Sequence, residues 1–84
     1  MTQQIQQLVY EMAQALVDAP QAVHVSTVER DDSTLFRLRV AQPDIGKVIG
    51  KQGRTARSLR TILAAVGSKH QLRYNLDILD EDEQ

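Results

Sequence analysis

The 84 residues contain no cysteine and no tryptophan, and only one phenylalanine and two tyrosines. Without cysteine there is neither a disulfide framework nor a thiolate metal site. Three rings are too few for the stacking platform that RRM-like and OB-like sheets present to bases. No apolar run approaches the roughly 20 residues that span a bilayer. The opening Met1-Thr2-Gln3-Gln4 has neither a basic region nor an apolar block, so no signal peptide is read there and a cytoplasmic protein is expected. The chain suffices for one compact domain, and a domain this small buries only about 60% of its unfolded surface, leaving little room for an interior catalytic cavity.

Acidic residues are also missing from one long stretch. Between Ile45 and Arg73 there are seven bases (Lys47, Lys51, Arg54, Arg57, Arg60, Lys69 and Arg73) and no Asp or Glu. The end of the chain, from Asp77 to Gln84, carries five acids: Asp77, Asp80, Glu81, Asp82 and Glu83. A formal net charge of −1 therefore conceals a cationic segment beside an anionic one. Local fields rather than totals steer a polyanion.

Periodicity gives the elements. Residues 3 to 18 read as an amphipathic helix with Ile5, Leu8, Val9, Met12, Ala13 and Leu16 on one face, Thr2 capping its start and Pro20 closing it. Val23, Val25 and Thr27 alternate as a strand, and Arg30 to Ser33 form a polar turn. Phe36, Leu38 and Val40 then alternate with Arg37 and Arg39, so the two strands make an antiparallel hairpin. Gln42-Pro43-Asp44 breaks the strand, with Asp44 as N-cap of a short helix over residues 45 to 49. A second helix runs from about Arg54 to Val66. Its apolar side is Ala56, Leu59, Ile62, Leu63 and Val66, its wet side Arg54, Arg57 and Arg60, and Gly67 is its stop. A last strand places Leu72, Tyr74, Leu76 and Ile78 on one face. The order α-β-β-α-α-β is an α+β layer pair, a three-stranded sheet with helices on one face. Residues 2–79 form the single domain and 80–84 an acidic, disordered tail.

Gly50-Lys51-Gln52-Gly53 lies between the last two helices. Glycines three apart let backbone amides approach an anion without Cβ obstruction, and the following helix points its free amides and positive dipole end the same way. Lys47, Lys51, Arg54 and Arg57 add charge nearby. Alternatively, Gly50 only ends one helix and Gly53 only shapes the turn into the next. Gly46 to Gln52 is one residue too short for a P-loop and has Gln where Ser or Thr is required, and no glycine precedes Gly50 by two to complete a dinucleotide fingerprint.

Val48-Ile49-Gly50-Lys51-Gln52-Gly53-Arg54 resembles the V-I-G-x-x-G signature of KH domains, and the block from Ile45-Gly46-Lys47 to Arg60-Thr61-Ile62-Leu63 fits it too. The element order is similar to the type II KH fold, and a lone KH domain of this size resembles the small bacterial single-KH, KhpA-type RNA-binding family. One departure is Ala56, where many KH domains carry a larger aliphatic. The resemblance implies that the glycine loop clamps the backbone of about four nucleotides of single-stranded RNA. Gly50, Lys51, Gln52, Gly53, Arg54, Lys47 and Arg57 would hold phosphates. Ile45, Gly46 and Ile49 would line one side of a base groove, with the strand holding Phe36 and Leu38 opposite. It further implies an RNA chaperone or post-transcriptional regulator that works with a larger Jag/KhpB-type partner in cell-shape and cell-wall homeostasis. The rival reading is a protein-interaction module, a homodimer or heterodimer. No membrane role, cofactor or small-molecule substrate is expected.

Catalysis has no footing in the sequence. His24 and His70 lack a metal-ligand spacing, and Ser26, Ser33, Ser58 and Ser68 lack a nucleophile-elbow context.

Overall fold

The computed structural model describes residues 2–82. Its elements are α1 (Thr2–Leu16), β1 (His24–Glu29), β2 (Ser33–Val40), α2 (Ile45–Ile49), α3 (Arg54–Lys69) and β3 (Arg73–Asp80), with short 3-10 turns at Pro20–Ala22, Gln42–Asp44 and Lys51–Gly53. The α-β-β-α-α-β order and α+β class expected from periodicity are those observed.

The sheet order is β1-β2-β3. β1 and β2 form the antiparallel hairpin, with Val25 opposite Leu38 and Glu29 opposite Thr34, and the Arg30 N–H closes the turn on the Ser33 carbonyl at 2.8 Å. β3 runs parallel to β2, with Leu76 opposite Phe36. A parallel neighbour needs a crossover connection, and α2 with α3 supplies it. The central strand alternates without a break: Thr34, Phe36, Leu38 and Val40 are buried under the helices and Ser33, Leu35, Arg37 and Arg39 face the other way. Ile5, Val9 and Ala13 of α1, Val48 of α2, Leu59 and Leu63 of α3, and Tyr74 and Leu76 of β3 complete the core.

Several expectations are corrected. The first helix stops at Leu16, not residue 18. Continued, it would send the Asp18 N–H back to the Gln14 carbonyl. That amide instead bonds Asp44 Oδ1 at 3.2 Å, and the next one, of Ala19, bonds Asp44 Oδ2 at 3.0 Å. Thr2 lies within the helix rather than ahead of it. Leu8 and Leu16 fall at the margins of the apolar stripe and are more than a third exposed, and Ile62, expected on the apolar side of α3, is 45% exposed.

Gly67 does not stop α3. It is buried inside the helix, where a Cβ would stand 2.7 Å from the Leu72 carbonyl oxygen and 3.2 Å from Tyr74 Cγ, so it sets how closely α3 packs on β3. The helix ends in a Schellman motif: Leu72 N–H bonds the Gly67 carbonyl at 2.8 Å, Gln71 N–H bonds the Ser68 carbonyl at 3.1 Å, and Gln71 takes the left-handed position at φ 60°. At the other end of β3, Asp80 still pairs with Val40, and Asp82 N–H turns back to Asp80 Oδ1 at 2.8 Å. Glu83 and Gln84 lie outside the described residues.

Tyr74 packs edge-on against Phe36, ring centroids 5.2 Å apart. Its hydroxyl is the buried side-chain polar atom left without a hydrogen bond among the described residues. A buried hydroxyl without a partner costs about 1–3 kcal/mol. Tyr74→Phe is therefore expected to stabilise the fold by about 1 kcal/mol, read as a higher urea midpoint at unchanged m-value; a lower midpoint would show that the hydroxyl has a partner.

Candidate nucleic-acid interface

α2 is only five residues long, and Gly50 ends it with its N–H on the Gly46 carbonyl at 2.8 Å. The chain then turns through three positive-φ residues in four: Gly50 (φ 79°, ψ 172°), Gln52 (φ 58°) and Gly53 (φ 75°). Gly53 N–H closes this turn on the Gly50 carbonyl at 3.1 Å, and Gly53 is the N-cap of α3. The two glycines have different reasons. At Gly50 a Cβ would overlap Thr55 Oγ1 and lie 2.6 Å from Thr55 Cβ. At Gly53 a Cβ would meet nothing within 4 Å, so only the backbone angle asks for glycine. The turn holds the start of α3, where amides lack intrahelical acceptors, open at an exposed corner beside Lys51 and Arg54. Arg54 Nη2 donates to Gln52 Oε1 at 3.0 Å, bracing the left-handed Gln52.

From this loop a cleft of about 430 Å³ runs along α3, lined by Ile49, Gly53, Ala56, Arg57, Arg60, Thr61 and Ala64. Ala56 is buried at its floor. Arg60 crosses to β3 and donates from Nε to the Leu76 carbonyl at 3.1 Å. The cleft is thus walled by α2, the glycine turn and α3, with Arg60 tying it to the edge strand β3. Phe36 and Leu38, expected there, have no exposed surface, because β2 is the central strand and its inward face is core. Arg60, Thr61 and Ala64 were not among the expected site residues. Their spacing from Arg57 at i+3, i+4 and i+7 is the signal that puts them on the same helix side.

The other expected site residues divide into two groups. Gly50, Lys51, Gln52, Gly53, Arg54, Arg57 and Ile49 come together at the loop and cleft. Gly46 is exposed on α2 with open space around it, and Ile45 is half-buried against the core. Lys47 is already engaged: its Nζ lies 3.2 Å from Asp18 Oδ2 and 3.8 Å from Asp44 Oδ1. Its charge is balanced by these two carboxylates.

Asp44 sits at the N-cap position but makes no capping hydrogen bond to the amides of α2. The buried carboxylate instead accepts the Asp18 and Ala19 amides and faces Lys47, tying the end of α1 to the helix before the glycine loop. A hydrogen bond to a charged group contributes about 1.5–3 kcal/mol. Asp44→Asn keeps only one acceptor for two amides, and a loss of about 2 kcal/mol is expected, a fall in Tm of roughly 10 °C at this size. Thermal unfolding unchanged within 2–3 °C, on the order of 0.5 kcal/mol, would contradict this role.

Among the described residues no three His, Asp or Glu side chains gather as a metal site, and no helix is long and apolar enough to cross a membrane.

Comparison with known proteins agrees with this geometry. The family described as KhpA/KhpB, KH domain, matches residues 6–78. The RNA-binding protein KhpA of Treponema pallidum is 47% identical over 75 residues, covering 89% of this chain and 94% of that protein. The protein of the same name from Chlamydia pneumoniae is 44% identical over 66 residues, covering 79% and 85%. That of Listeria monocytogenes serovar 1/2a is 40% identical over 76 residues, covering 90% and 100%. No solved structure is a significant match. With a matching signature loop, element order and near full-length relatives, the chain belongs to the KhpA/KhpB family of KH domains.

Proposed function

We propose that this protein binds single-stranded RNA, gripping the phosphate backbone with the Gly50-Lys51-Gln52-Gly53 turn and laying bases into the cleft along α3. The observation that carries the reading is the turn itself. Three left-handed residues in four open the N-terminus of α3 beside a cleft whose charged side chains, Arg57 and Arg60, are both cations. The relatives' names, RNA-binding proteins, support RNA over DNA. The protein acts as a binder and not as an enzyme, consistent with that family.

Within this reading the protein serves in the cytoplasm as an RNA chaperone or post-transcriptional regulator, paired with a larger KH-containing partner of the Jag/KhpB type, in cell-shape and cell-wall homeostasis. These finer roles rest on the family resemblance. Its pairing with a second KH chain is supported by the exposed Ile62 and Leu8, apolar side chains left in water on the helical layer.

Among the described residues, three cations at the loop and cleft, Lys51, Arg54 and Arg57, have no carboxylate partner, while Lys47 is paired. Neutralising three phosphates of a single strand gives a slope of log K against log salt of roughly −2. Titration of a single-stranded RNA oligomer between low and moderate salt tests this. A slope near zero would mean that the loop is not a phosphate site.

A further inference from the structure

We propose that the RNA groove continues past the glycine turn into a second cleft at the far end of α3, and that this cleft selects the N6 amine of adenine or the N4 amine of cytosine over uracil, which has no amine, and over guanine, whose amine is at N2. The proposal rests on the RNA-binding reading and extends it beyond the four nucleotides that the turn would clamp.

The two clefts adjoin, sharing Ala64 in their linings. The first ends at Ala64, and the second begins there, lined by Asp32, Ala64, Ser68, Gln71, Leu72 and Asn75. One helix side serves both. α3 has 16 residues, a length of about 24 Å. Four nucleotides at a stacked spacing of about 3.4 Å cover about 14 Å. The remaining length accommodates two or three more.

The chemistry changes along the groove. The part near the turn is apolar and cationic, with Ile49, Ala56, Arg57 and Arg60. The far part presents a carboxylate, a hydroxyl and two primary amides. A carboxylate repels phosphate, so a strand entering here turns its bases inward. An Asn or Gln amide pairs with the N6 amine and N7 of adenine, and an Asp carboxylate accepts from the N4 amine of cytosine. Uracil has no exocyclic amine to offer. Arg73, also at this cleft, is exposed and supplies a cation for the phosphate on the rim.

The backbone that carries these readers is held before any ligand arrives. Arg73 N–H bonds the Asp32 carbonyl at 2.9 Å, fixing the hairpin turn beside the α3–β3 turn. Gln71 is set by the Schellman bonds on either side of it, and Asn75 stands on the edge strand. Fixed polar groups lose less entropy on binding than mobile ones.

The test compares a tetranucleotide with octanucleotides whose added four bases are either adenine and cytosine or all uracil. Binding is followed by amide chemical shifts of the full chain. Shifts at residues 50–53 report the clamp and shifts at residues 71–75 report the second cleft. The octamer carrying adenine and cytosine is expected to bind about tenfold more tightly than the tetramer and to move both sets. The uracil octamer should gain at most about twofold. The double variant Asp32→Ala, Asn75→Ala, which leaves the backbone bond at residue 32 in place, should lose the tenfold gain and keep the tetramer affinity. Equal gains for both octamers, or a gain that survives in the double variant, would overturn the second cleft while shifts at 50–53 still uphold the clamp. If the tetramer moves nothing at 50–53, the clamp reading fails, and this proposal with it.

Discussion

Replacing Lys51 and Gln52 together by aspartate should lower affinity for single-stranded RNA about 100-fold at low salt while leaving the fold intact. The double change shifts the loop by three negative charges. Each unit acting on a phosphate about 4 Å away is worth about 1 kcal/mol in a water-like dielectric. The sum, about 3 kcal/mol, is about two orders of magnitude in the dissociation constant. The fold tolerates the change for three reasons. Lys51 and Gln52 are exposed. Gln52 stands at φ 58°, a region that aspartate enters more readily than most residues. New carboxylates at the start of α3 also favour its dipole by about 0.3–1 kcal/mol each, so Tm should hold or rise slightly. A drop in affinity accompanied by unfolding would leave the loop without its assigned role, as would a folded variant that binds like the parent. A control separates the structural reading from the sequence alone. Lys51→Ala should weaken binding more than Lys47→Ala, because Asp18 and Asp44 already occupy Lys47.

That control marks the boundary of what was legible in the sequence. Patterns confined to a few consecutive residues read correctly. The alternation in 34–40 gave the central strand, the change of period gave the element order, and the two glycines gave the loop. Failures came where a partner distant in sequence decides. Asp44 reads as an N-cap because an acid before a helix usually is one; amides 25 and 26 residues away claim its side chain instead. Lys47 reads as a free cation because Asp44, three residues before it, reads as a cap, and Asp18 lies 29 residues away. Gly67 reads as a helix stop because glycine favours that position, yet Gln71 takes the left-handed angle and Gly67 is needed for close contact with Leu72 and Tyr74. The far wall of the cleft depends on strand order. Alternation cannot supply that: β2, expected beside the groove, is the central strand, with Phe36 and Leu38 in the core.

The two loop glycines should differ sharply when each is changed to alanine. Gly53→Ala pays only the left-handed backbone penalty of about 1–2 kcal/mol, since a Cβ there meets nothing within 4 Å. Gly50→Ala meets two obstacles. At φ 79°, ψ 172° the backbone lies in a region that is essentially glycine-only, costing about 1–3 kcal/mol. A Cβ would also overlap Thr55 Oγ1 and stand 2.8 Å from the Thr55 backbone nitrogen, adding an overpacking cost of about 1–3 kcal/mol. Thr55 is in the first turn of α3, so the strain can be relieved only by moving the start of that helix away from α2. The expected loss for Gly50→Ala is about 4 kcal/mol, a large share of the stability of an 84-residue domain. The further variant Gly50→Ala, Thr55→Ser removes a methyl but leaves the hydroxyl and the backbone nitrogen in place, and should recover only a minor part of that loss. Denaturant unfolding of the three variants checks this order. Equal losses at Gly50 and Gly53 would mean that the turn is held by backbone angle alone. The predicted inequality would mean instead that contact between Gly50 and Thr55 fixes where α3 begins, and therefore where its free amides meet a phosphate.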